Sequence, residues 1–389
     1  MERIWTKLNR YFSTTRYNRY KSNIAPNKAK VVVAMSGGVD SSVSAALLKI
    51  SGYDVTGVFM KCWSEEEMPT GVCTSEEDEQ WARRAASKIG IPFYSIDFVG
   101  EYRQNVVDYF IEEYRQGRTP NPDVMCNREI KFGVFYDWAI NSLGADYIAT
   151  GHYARLVYGN GAKSSKSDSA NPKLLKGIDP NKDQSYFLWA VDREKFKKVI
   201  FPVGEYMKSD VRKLAREFNL PNATRKDSQG ICFIGKLEVS DFLKDFIPDK
   251  EGPIVNAKGK IVGEHKGLHY YTLGQRKGIN IGGGPPYYVW GKDRKTNTLL
   301  VSREFDDKLF GKGAVCSNVN WISEKPSNFP YKCKVKIRYR QEDKNARIKG
   351  VNKDESINVE FGSGERAVTP GQSVVFYRGD ELIGGGIIN

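Results

Sequence analysis

The sequence predicts an α/β protein in which a doubly wound parallel sheet is followed by a small mixed central domain and a C-terminal β-barrel. Short apolar strands alternate with helical patterns from Lys30 onward, which is typical of a parallel sheet covered by helices. After Phe201 the pattern changes to helical runs, and from about Gly252 it becomes short strands punctuated by glycine. A chain of 389 residues also exceeds the usual size of one hydrophobic core, so we expect several domains.

The predicted elements follow in a regular order along the chain. The strands of the sheet read VVVAM, VTGVFMKCW and PFYSIDF, and the helices between them read VSAALLKISG and EEDEQWARRAASKIG. Helices over 101–116 and 129–143 lead to a strand and loop in ADYIATGHYARL, and the Ser-rich segment 159–172 is an exposed loop. The helical runs SDVRKLAREFNL and EVSDFLKDFI precede the β-rich part, which ends in the alternating YKCKVKIRYR and SVVFYRG. We place the domains at 29–232, 233–298 and 299–389.

The chain is basic, with a formal net charge of +13. This excess favours a polyanionic partner, most simply nucleic acid, although a solvated basic surface explains the charge equally well. No apolar stretch approaches the roughly 18 residues of a membrane-spanning helix, so we expect no membrane insertion.

The first 28 residues have the composition of a mitochondrial targeting peptide. They contain seven basic residues, one acidic residue and many hydroxyl-bearing side chains. A disordered basic tail is the alternative. We exclude this segment from the fold and expect the protein in the mitochondrial matrix.

The stretch SGGVDSS at residues 36–42 predicts an anion-binding loop. It follows a buried strand, its two glycines permit backbone conformations closed to other residues, and a helix begins near Asp40. Backbone N–H groups and serine hydroxyls would converge there on one point, unless the stretch is only a tight structural turn. It is not a Walker A motif, since no lysine follows the glycines. The residues expected to line this cradle are Ser36, Gly37, Gly38, Asp40, Ser41 and Ser42.

Two of the six cysteines stand in unusual surroundings. Cys126 follows Asp123 by three residues at a Pro-rich turn that opens a helix, where N-terminal amides favour a thiolate. Cys232 lies in a Gly-flanked loop, where a thiol can meet solvent. The two are so far apart in the chain that only the fold could join them. The other four are expected to be buried small hydrophobes, and without a CxxC pair we expect no metal site: Cys62, Cys73, Cys316 and Cys333.

The loop 36–41 resembles the PP-loop, S-G-G-x-D-S, of the ATP pyrophosphatases. Nine segments in chain order closely resemble the tRNA-specific 2-thiouridylases from about residue 30 to the end: SGGVDSS, GVFMKCW, GRTPNPDVMCNREIKFG, TGHYARL, GIDPNKDQSYFL, FPVGEYMKSDVRKLA, SQGICFIG, YYTLGQRKG and RYRQ. The basic N-terminus is similar to that of a mitochondrial member.

This resemblance implies a PP-loop catalytic domain and a reaction. The loop, together with Met60 and Gly151, would bind ATP with Mg²⁺, and the enzyme would adenylate O2 of the wobble uridine of mitochondrial tRNAs for Lys, Glu and Gln. A cysteine desulfurase or persulfide relay protein would deliver sulfur as a persulfide on Cys232. Asp123 would act as acid or base. Cys126 would attack the persulfide, which frees sulfur for C2 and leaves a Cys126–Cys232 disulfide.

An anticodon loop is single-stranded, so its base can turn outward at modest cost while basic side chains fix the backbone. The resemblance places Asp183 and Gln184 near the reacting nucleotide, with a helix cap as the alternative. His152, after a strand end, is either a ligand-site residue or a structural hydrogen-bonding group. Further tRNA contacts are expected in basic, aromatic stretches, with ordinary exposed barrel charges as the alternative: Arg276, Lys277, Arg338, Tyr339, Arg340 and Gln341.

Two other functions fit parts of the sequence. A PP-loop amide or amidine ligase would need no cysteine pair, so dependence on both cysteines discriminates against it. A non-catalytic basic RNA-binding protein would show no tRNA-dependent pyrophosphate release.

Overall fold

A five-stranded parallel sheet forms the N-terminal part of the computed structural model, which describes residues 28–64, 75–158, 172–227, 238–303 and 306–389. The first seven strands are β1 (Lys30–Ala34), β2 (Asp54–Lys61), β3 (Phe93–Asp97), β4 (Tyr147–Ala149), β5 (Ala154–Val157), β6 (Lys173–Lys176) and β7 (Val199–Ile200). All but β5 and β6 belong to this sheet, in the order β3-β2-β1-β4-β7. The strand order therefore reverses at β1, where α/β sheets bind ligands.

Helices connect these strands and cover the sheet. They are α1 (Val39–Ile50), α2 (Ser75–Ile89), α3 (Val99–Tyr102), α4 (Asp108–Arg115), α5 (Pro122–Met125), α6 (Phe135–Asn141), α7 (Lys208–Glu217) and α8 (Val239–Lys244). Wider π-helical turns, Arg103–Val107 and Cys126–Val134, join α3 to α4 and α5 to α6. The second predicted helix therefore begins at Pro122 rather than near 129, because proline suits the first helical position and Asn121 caps the end.

Side chains of β1 alternate between two apolar layers. Val31 and Val33 pack on the face that also contains Ala45 of α1 and Ala82 of α2. Val32 and Ala34 face the other layer, with Phe135 of α6. Burial on both faces explains the unbroken apolar run of this strand. The predicted doubly wound fold is confirmed.

The central domain contains a four-stranded sheet. Its strands are β8 (Gly252–Asn256), β9 (Ile261–His265), β10 (Tyr288–Asp293) and β11 (Thr298–Ser302), in the order β10-β11-β8-β9. Ile254, Val289 and Leu299 are its fully buried centre. This sheet extends to Ser302, past residue 298, at which we place the domain boundary.

Six antiparallel strands form the C-terminal barrel. They are β12 (Phe310–Trp321), β13 (Tyr331–Lys336), β14 (Lys344–Val351), β15 (Ile357–Arg366), β16 (Ser373–Arg378) and β17 (Glu381–Ile388). The order is β12-β15-β14-β13-β16-β17, and pairing of β12 with β17 closes it, as predicted. The hairpin β5–β6 of the N-terminal domain adds to β17 through the pair Glu381 and Leu175. The sequence patterns did not predict this junction.

Some predicted features lie outside the described residues. They include residues 1–27 of the expected targeting peptide, residues 159–171 of the expected loop, Cys73 and Cys232. Within the described parts of the chain, no helix has the length and apolar character needed to cross a membrane.

Candidate active site

The SGGVDSS loop joins β1 to α1 and is closed by its own hydrogen bonds. Ser36 N donates to Ser41 Oγ at 3.2 Å, and Ser42 Oγ donates to Gly38 O at 3.0 Å. Gly37 has a φ of +75°, and a Cβ there would lie 2.3 Å from the carbonyl oxygen of Asp78. Only glycine can adopt this φ without strain and also leave room for the Asp78 carbonyl. The loop thus brings backbone amides and serine hydroxyls together at the start of a helix, as an anion cradle requires.

Asn222 holds this loop from the segment after α7. Its side chain is 1% exposed, and its Nδ2 lies 2.8 Å from Gly37 O, 3.1 Å from Gly38 O and 2.9 Å from Ser42 Oγ. The amide thereby ties the carbonyls of Gly37 and Gly38 to the start of α1. Sequence reasoning missed Asn222, because no motif surrounds it.

The segment after β4 packs directly on the start of α1. A Cβ on Gly151 would lie 2.7 Å from Ser41 N and 3.0 Å from the carbonyl carbon of Asp40. Gly151 therefore permits the close approach of two backbone segments at the point where the strand order reverses. Met60 lies half-buried near the carboxyl end of the adjacent strand β2. Both predicted ATP contacts thus belong to the same edge of the sheet.

Charged side chains surround the loop carboxylate. Asp40 Oδ1 accepts a hydrogen bond from Tyr153 Oη at 2.8 Å and from Lys208 Nζ at 2.7 Å. Lys208 Nζ lies also 2.8 Å from Asp227 Oδ1. Lys208 therefore bridges the loop carboxylate and a second carboxylate near the end of the described segment 172–227.

Asp227 has two further cationic partners. Lys182 and Arg212 both approach it to 2.6 Å. Although burial acts in the opposite direction, the hydrogen bonds from Lys182 and Lys208 lower the pKa of Asp227 to about 2. Sequence reasoning did not single out these cations. The segments GIDPNKDQSYFL and FPVGEYMKSDVRKLA, which carry the resemblance, contain all three and were the available signal.

Asp123 and Cys126 lie on the helix that Asn121 caps. Asp123 is half-buried, and burial raises the pKa of its carboxyl, while Lys131 opposes that shift. Cys126 is 6% exposed and packs in a core cluster with Phe110. The electrostatic effect of a helix N-terminus fades within one turn. The N-terminus of α5 therefore favours negative charge on Asp123 more than on Cys126. The pairing of Cys126 with Cys232 lies outside the described residues.

His152 connects this helix to the segment after β4. Its Nδ1 lies 2.7 Å from Thr150 Oγ1, and its ring lies 5.9 Å from that of Phe132 and 6.0 Å from that of Phe201. Burial, with a contribution from Lys131, lowers the pKa of His152 well below 6.5, so its imidazole is neutral. The structure therefore brings the segment after Cys126 against the residues that follow Gly151.

The two residues predicted to contact the reacting nucleotide make internal hydrogen bonds. Asp183 is 5% exposed, and its Oδ1 accepts from Gly177 N and Ser185 N, both at 3.1 Å. Gln184 Oε1 accepts from Tyr153 N at 3.0 Å. The cap of the short 3₁₀ turn is Gln184, and Asp183 lies one residue before it, with its Oδ1 bonded to the first N–H of the turn.

The predicted tRNA contacts on the barrel differ in how far their side chains are already bonded within the protein. Arg338 Nη2 donates to the carbonyls of residues 366 and 367, both at 2.9 Å, and Gln341 Nε2 donates to Glu365 at 2.6 Å. The Tyr339 ring lies 4.4 Å from that of Phe187. Arg340 is exposed. In the central domain, the predicted contacts Arg276 and Lys277 are exposed as well.

Comparisons with known proteins identify the family. Three family models match in succession: a tRNA methyl transferase HUP domain over residues 29–236, a tRNA methyl transferase PRC-barrel domain over 240–303 and an aminomethyltransferase beta-barrel domain over 312–388. The chain is 47% identical over 369 residues to the tRNA-specific 2-thiouridylase MnmA of Bacillus cytotoxicus, which covers 94% of this chain and 96% of that protein. The chain belongs to the tRNA-specific 2-thiouridylase family. The MnmA of Geobacillus thermodenitrificans matches with the same identity and coverage.

Membership of the 2-thiouridylase family confirms the resemblance and the predicted order of domains, from parallel sheet through central domain to barrel. A solved 4-thiouridine synthetase in complex with RNA and ATP superimposes with a TM-score of 0.32 and 16% identity, over 52% of this chain and 44% of that one. A similarity this weak carries no functional argument.

Proposed function

We propose that this member of the 2-thiouridylase family uses ATP to replace O2 of the wobble uridine with sulfur in mitochondrial tRNAs for Lys, Glu and Gln. The observation that carries the proposal is the 47% identity to tRNA-specific 2-thiouridylases over 94% of the chain. The geometry of residues 36–42 supports it, because the loop, α1 and Asn222 form a hydrogen-bonded cradle suited to phosphates.

The cradle would hold the ATP phosphates on backbone amides and on the hydroxyls of Ser36 and Ser41. Asp40 would hold Mg²⁺ beside it, because a carboxylate is the ligand this cation prefers, and would exchange its bonds from Lys208 for the cation. Bound Mg²⁺ would neutralise phosphate charge. Lys208 would remain paired with Asp227, with which it already forms an ion pair at 2.8 Å. Attack of the uridine O2 on the α-phosphate of ATP would release pyrophosphate, and the adenylated oxygen is then a good leaving group because it departs from C2 as part of AMP.

Sulfur would reach C2 through the two cysteines. A donor protein, a desulfurase or a persulfide carrier, would transfer a sulfur atom to the Cys232 thiol. The Cys126 thiolate would attack Cys232 Sγ, forming a disulfide and releasing hydrosulfide, which attacks C2 and expels AMP. A thiol reductant then restores both cysteines. Because burial raises the pKa of Asp123, its carboxyl is suited to hold and return a proton during these steps.

The composition of residues 1–28 supports import into the mitochondrial matrix as part of this proposal. A fusion of these residues to a fluorescent reporter would accumulate in mitochondria. Diffuse cytosolic fluorescence would contradict this location without affecting the proposed chemistry.

Mass spectrometry of nucleosides from tRNA tests the reaction. Cells lacking the protein should lose the 2-thio group at the wobble uridine, and the wild type should restore it. Neither Cys126→Ser nor Cys232→Ser should restore it, whereas Cys333→Ser, in the barrel, serves as the matched control.

The same spectra separate thiolation from the methyl transfer that the names of two family models mention, because exchange of oxygen for sulfur and addition of a methyl group change the nucleoside mass differently. Persistence of the 2-thio group in cells without the protein would overturn the proposal.

A further inference from the structure

Residues 115–121 form a junction between all three domains. This junction segment joins the end of α4 to α5, so it leads directly to Asp123 and Cys126. Thr119 and Pro120 are buried in it. Segments of extended backbone have few hydrogen bonds of their own, and buried carbonyl and N–H groups must therefore find partners elsewhere.

The barrel supplies one set of partners, from the turn before β16. Thr119 N donates to Pro370 O at 2.9 Å. Gln372 Nε2 donates to Thr119 O at 2.8 Å and to Pro120 O at 3.1 Å. Gly371 has a φ of +89°, and a Cβ there would lie 2.9 Å from Thr119 N. The barrel thus packs closely against the junction segment and forms hydrogen bonds with it, two residues before α5 begins.

The central domain supplies the second set. Lys292 Nζ, on β10, donates to Gly117 O at 3.2 Å, and Arg294 donates to Arg115 O at 3.3 Å. Thr272 Oγ1 lies 3.3 Å from Thr119 Oγ1. These cations meet carbonyls at the carboxyl end of α4, where positive charge is favourable. The N-terminal domain adds its own anchor, because Arg118 bonds twice to the buried Glu113.

We propose that Gln372 and Lys292 are positioning residues for sulfur transfer. By donating to carbonyls of the junction segment, they fix the place of α5 and hence of Asp123 and Cys126. The proposal deepens the proposed function and rests on it. A displacement of reacting groups by about 1 Å can cost on the order of 100-fold in rate, so loss of either donor should slow the chemistry.

Single-turnover thiolation of tRNA by the purified full chain tests this. Gln372→Glu keeps the side-chain size but replaces the N–H donor with a carboxylate facing two carbonyls, and Lys292→Met removes the ammonium from a similar stem. We expect the rate to fall by on the order of 10- to 100-fold, with affinities for tRNA and ATP within about 2-fold of the wild type. Lys292→Arg should recover most of the rate, since it can still donate to Gly117 O.

Two exposed residues provide matched controls. Gln104→Glu, on the π-helical turn before α4, matches Gln372→Glu. Lys295→Met, at the turn after β10, matches Lys292→Met. Both should keep the wild-type rate.

Amide hydrogen exchange gives a readout independent of activity. In Gln372→Glu, the Thr119 amide hydrogen should exchange faster than in the wild type, because the turn that contains Pro370 moves away and the hydrogen bond from Thr119 N to Pro370 O weakens. Unchanged exchange at Thr119, or a wild-type thiolation rate in both variants, would overturn the positioning role. A loss of tRNA affinity that accounts for the whole decrease would overturn it too. Absence of thiolation by the wild type would instead contradict the proposed function.

Discussion

Asn222 shows how a single side chain can determine the shape of the candidate ATP loop. Its amide is the donor for the carbonyls of Gly37 and Gly38, and it is almost completely buried. Asn222→Ala should lower the free energy of unfolding by ~1–3 kcal/mol, because the Gly37 carbonyl loses this buried donor, whereas Gly38 O keeps the bond from Ser42 Oγ. ATP affinity should fall as well, since the loop is no longer held.

Urea denaturation and ATP titration measure these two effects. Asn105→Ala, which removes a side-chain bond to the backbone of Glu101, is the control and should leave ATP affinity unchanged. Wild-type stability of Asn222→Ala would refute the assigned role.

Asp123 should make stability depend on pH. Burial raises its pKa above the ordinary 3.8, so the folded carboxyl retains its proton to a higher pH than the unfolded one. The cost of ionising the buried carboxyl is therefore absent below pH 3.8 and appears as the pH rises through the folded pKa. Asp123→Asn removes this charge and should raise Tm near pH 7, with a smaller difference near pH 4, while abolishing thiolation.

Thermal denaturation at both pH values provides the check. Asp137→Asn, at a largely exposed carboxylate, is the control and should not raise Tm. A lower Tm for Asp123→Asn near pH 7 would mean that the carboxylate is stabilising in the fold, contrary to this account.

At the scale of elements, the approach of the segment after β4 to α1 forms the edge of the candidate site. Gly151→Ala would place a Cβ 2.7 Å from Ser41 N, which is backbone and cannot move freely. We expect a loss of ~1–3 kcal/mol in stability, as for other overpacked sites, together with weaker ATP binding.

Calorimetric ATP titration and denaturation would measure both quantities. Gly100→Ala is the matched control, because a Cβ there meets nothing within 4 Å. Unaltered ATP binding by Gly151→Ala would place the nucleotide away from this contact.

At the scale of the whole molecule, a buried ion pair joins the N-terminal domain to the barrel. Lys336 Nζ of β13 lies 3.5 Å from Asp183 Oδ2, and their side chains are 11% and 4% exposed. Lys336→Met should destabilise the protein by ~3–5 kcal/mol, because the buried carboxylate of Asp183 loses its cation and keeps only its bonds from backbone N–H groups. The double variant Asp183→Asn, Lys336→Met should recover part of this loss.

Chemical denaturation of the single and double variants measures the coupling. Lys349→Met, in an exposed pair with Glu360, should cost less than about 1 kcal/mol. A similarly small effect of Lys336→Met would show that the pair does not couple the two domains.

Measuring tRNA affinity as a function of salt concentration should distinguish the two arginines of the barrel, because they make different contacts. Arg340 is exposed, so Arg340→Ala should weaken binding and reduce the salt slope by roughly one if it contacts a phosphate. Arg338 is bonded to two backbone carbonyls, so Arg338→Ala should cost stability in addition. An unchanged slope for Arg340→Ala would remove this side chain from the interface.

Local patterns in the sequence were sufficient for the parallel sheet, the order of the domains and the SGGVDSS loop. They also indicated the Pro-rich turn at Asp123, although the helix was expected only from residue 129 and begins at Pro122. Each of these follows from residues close together in the chain: short apolar strands that alternate with helical patterns, two glycines before a helix, and prolines at a turn. Family-specific segments also determined the 2-thiouridylase assignment, because they are long and occur in a set order.

Other features depend on residues that meet only in the tertiary structure. Asn222 reaches Gly37, Gln372 reaches Thr119, and the β5–β6 hairpin extends the barrel sheet. Arg338 and Gln341 have the residue types of RNA contacts, yet Arg338 Nη2 donates to backbone carbonyls and Gln341 Nε2 donates to Glu365 within the barrel. No periodicity or spacing encodes such partners, because a hydrogen bond depends on the distance between two groups in space and not on their separation along the chain.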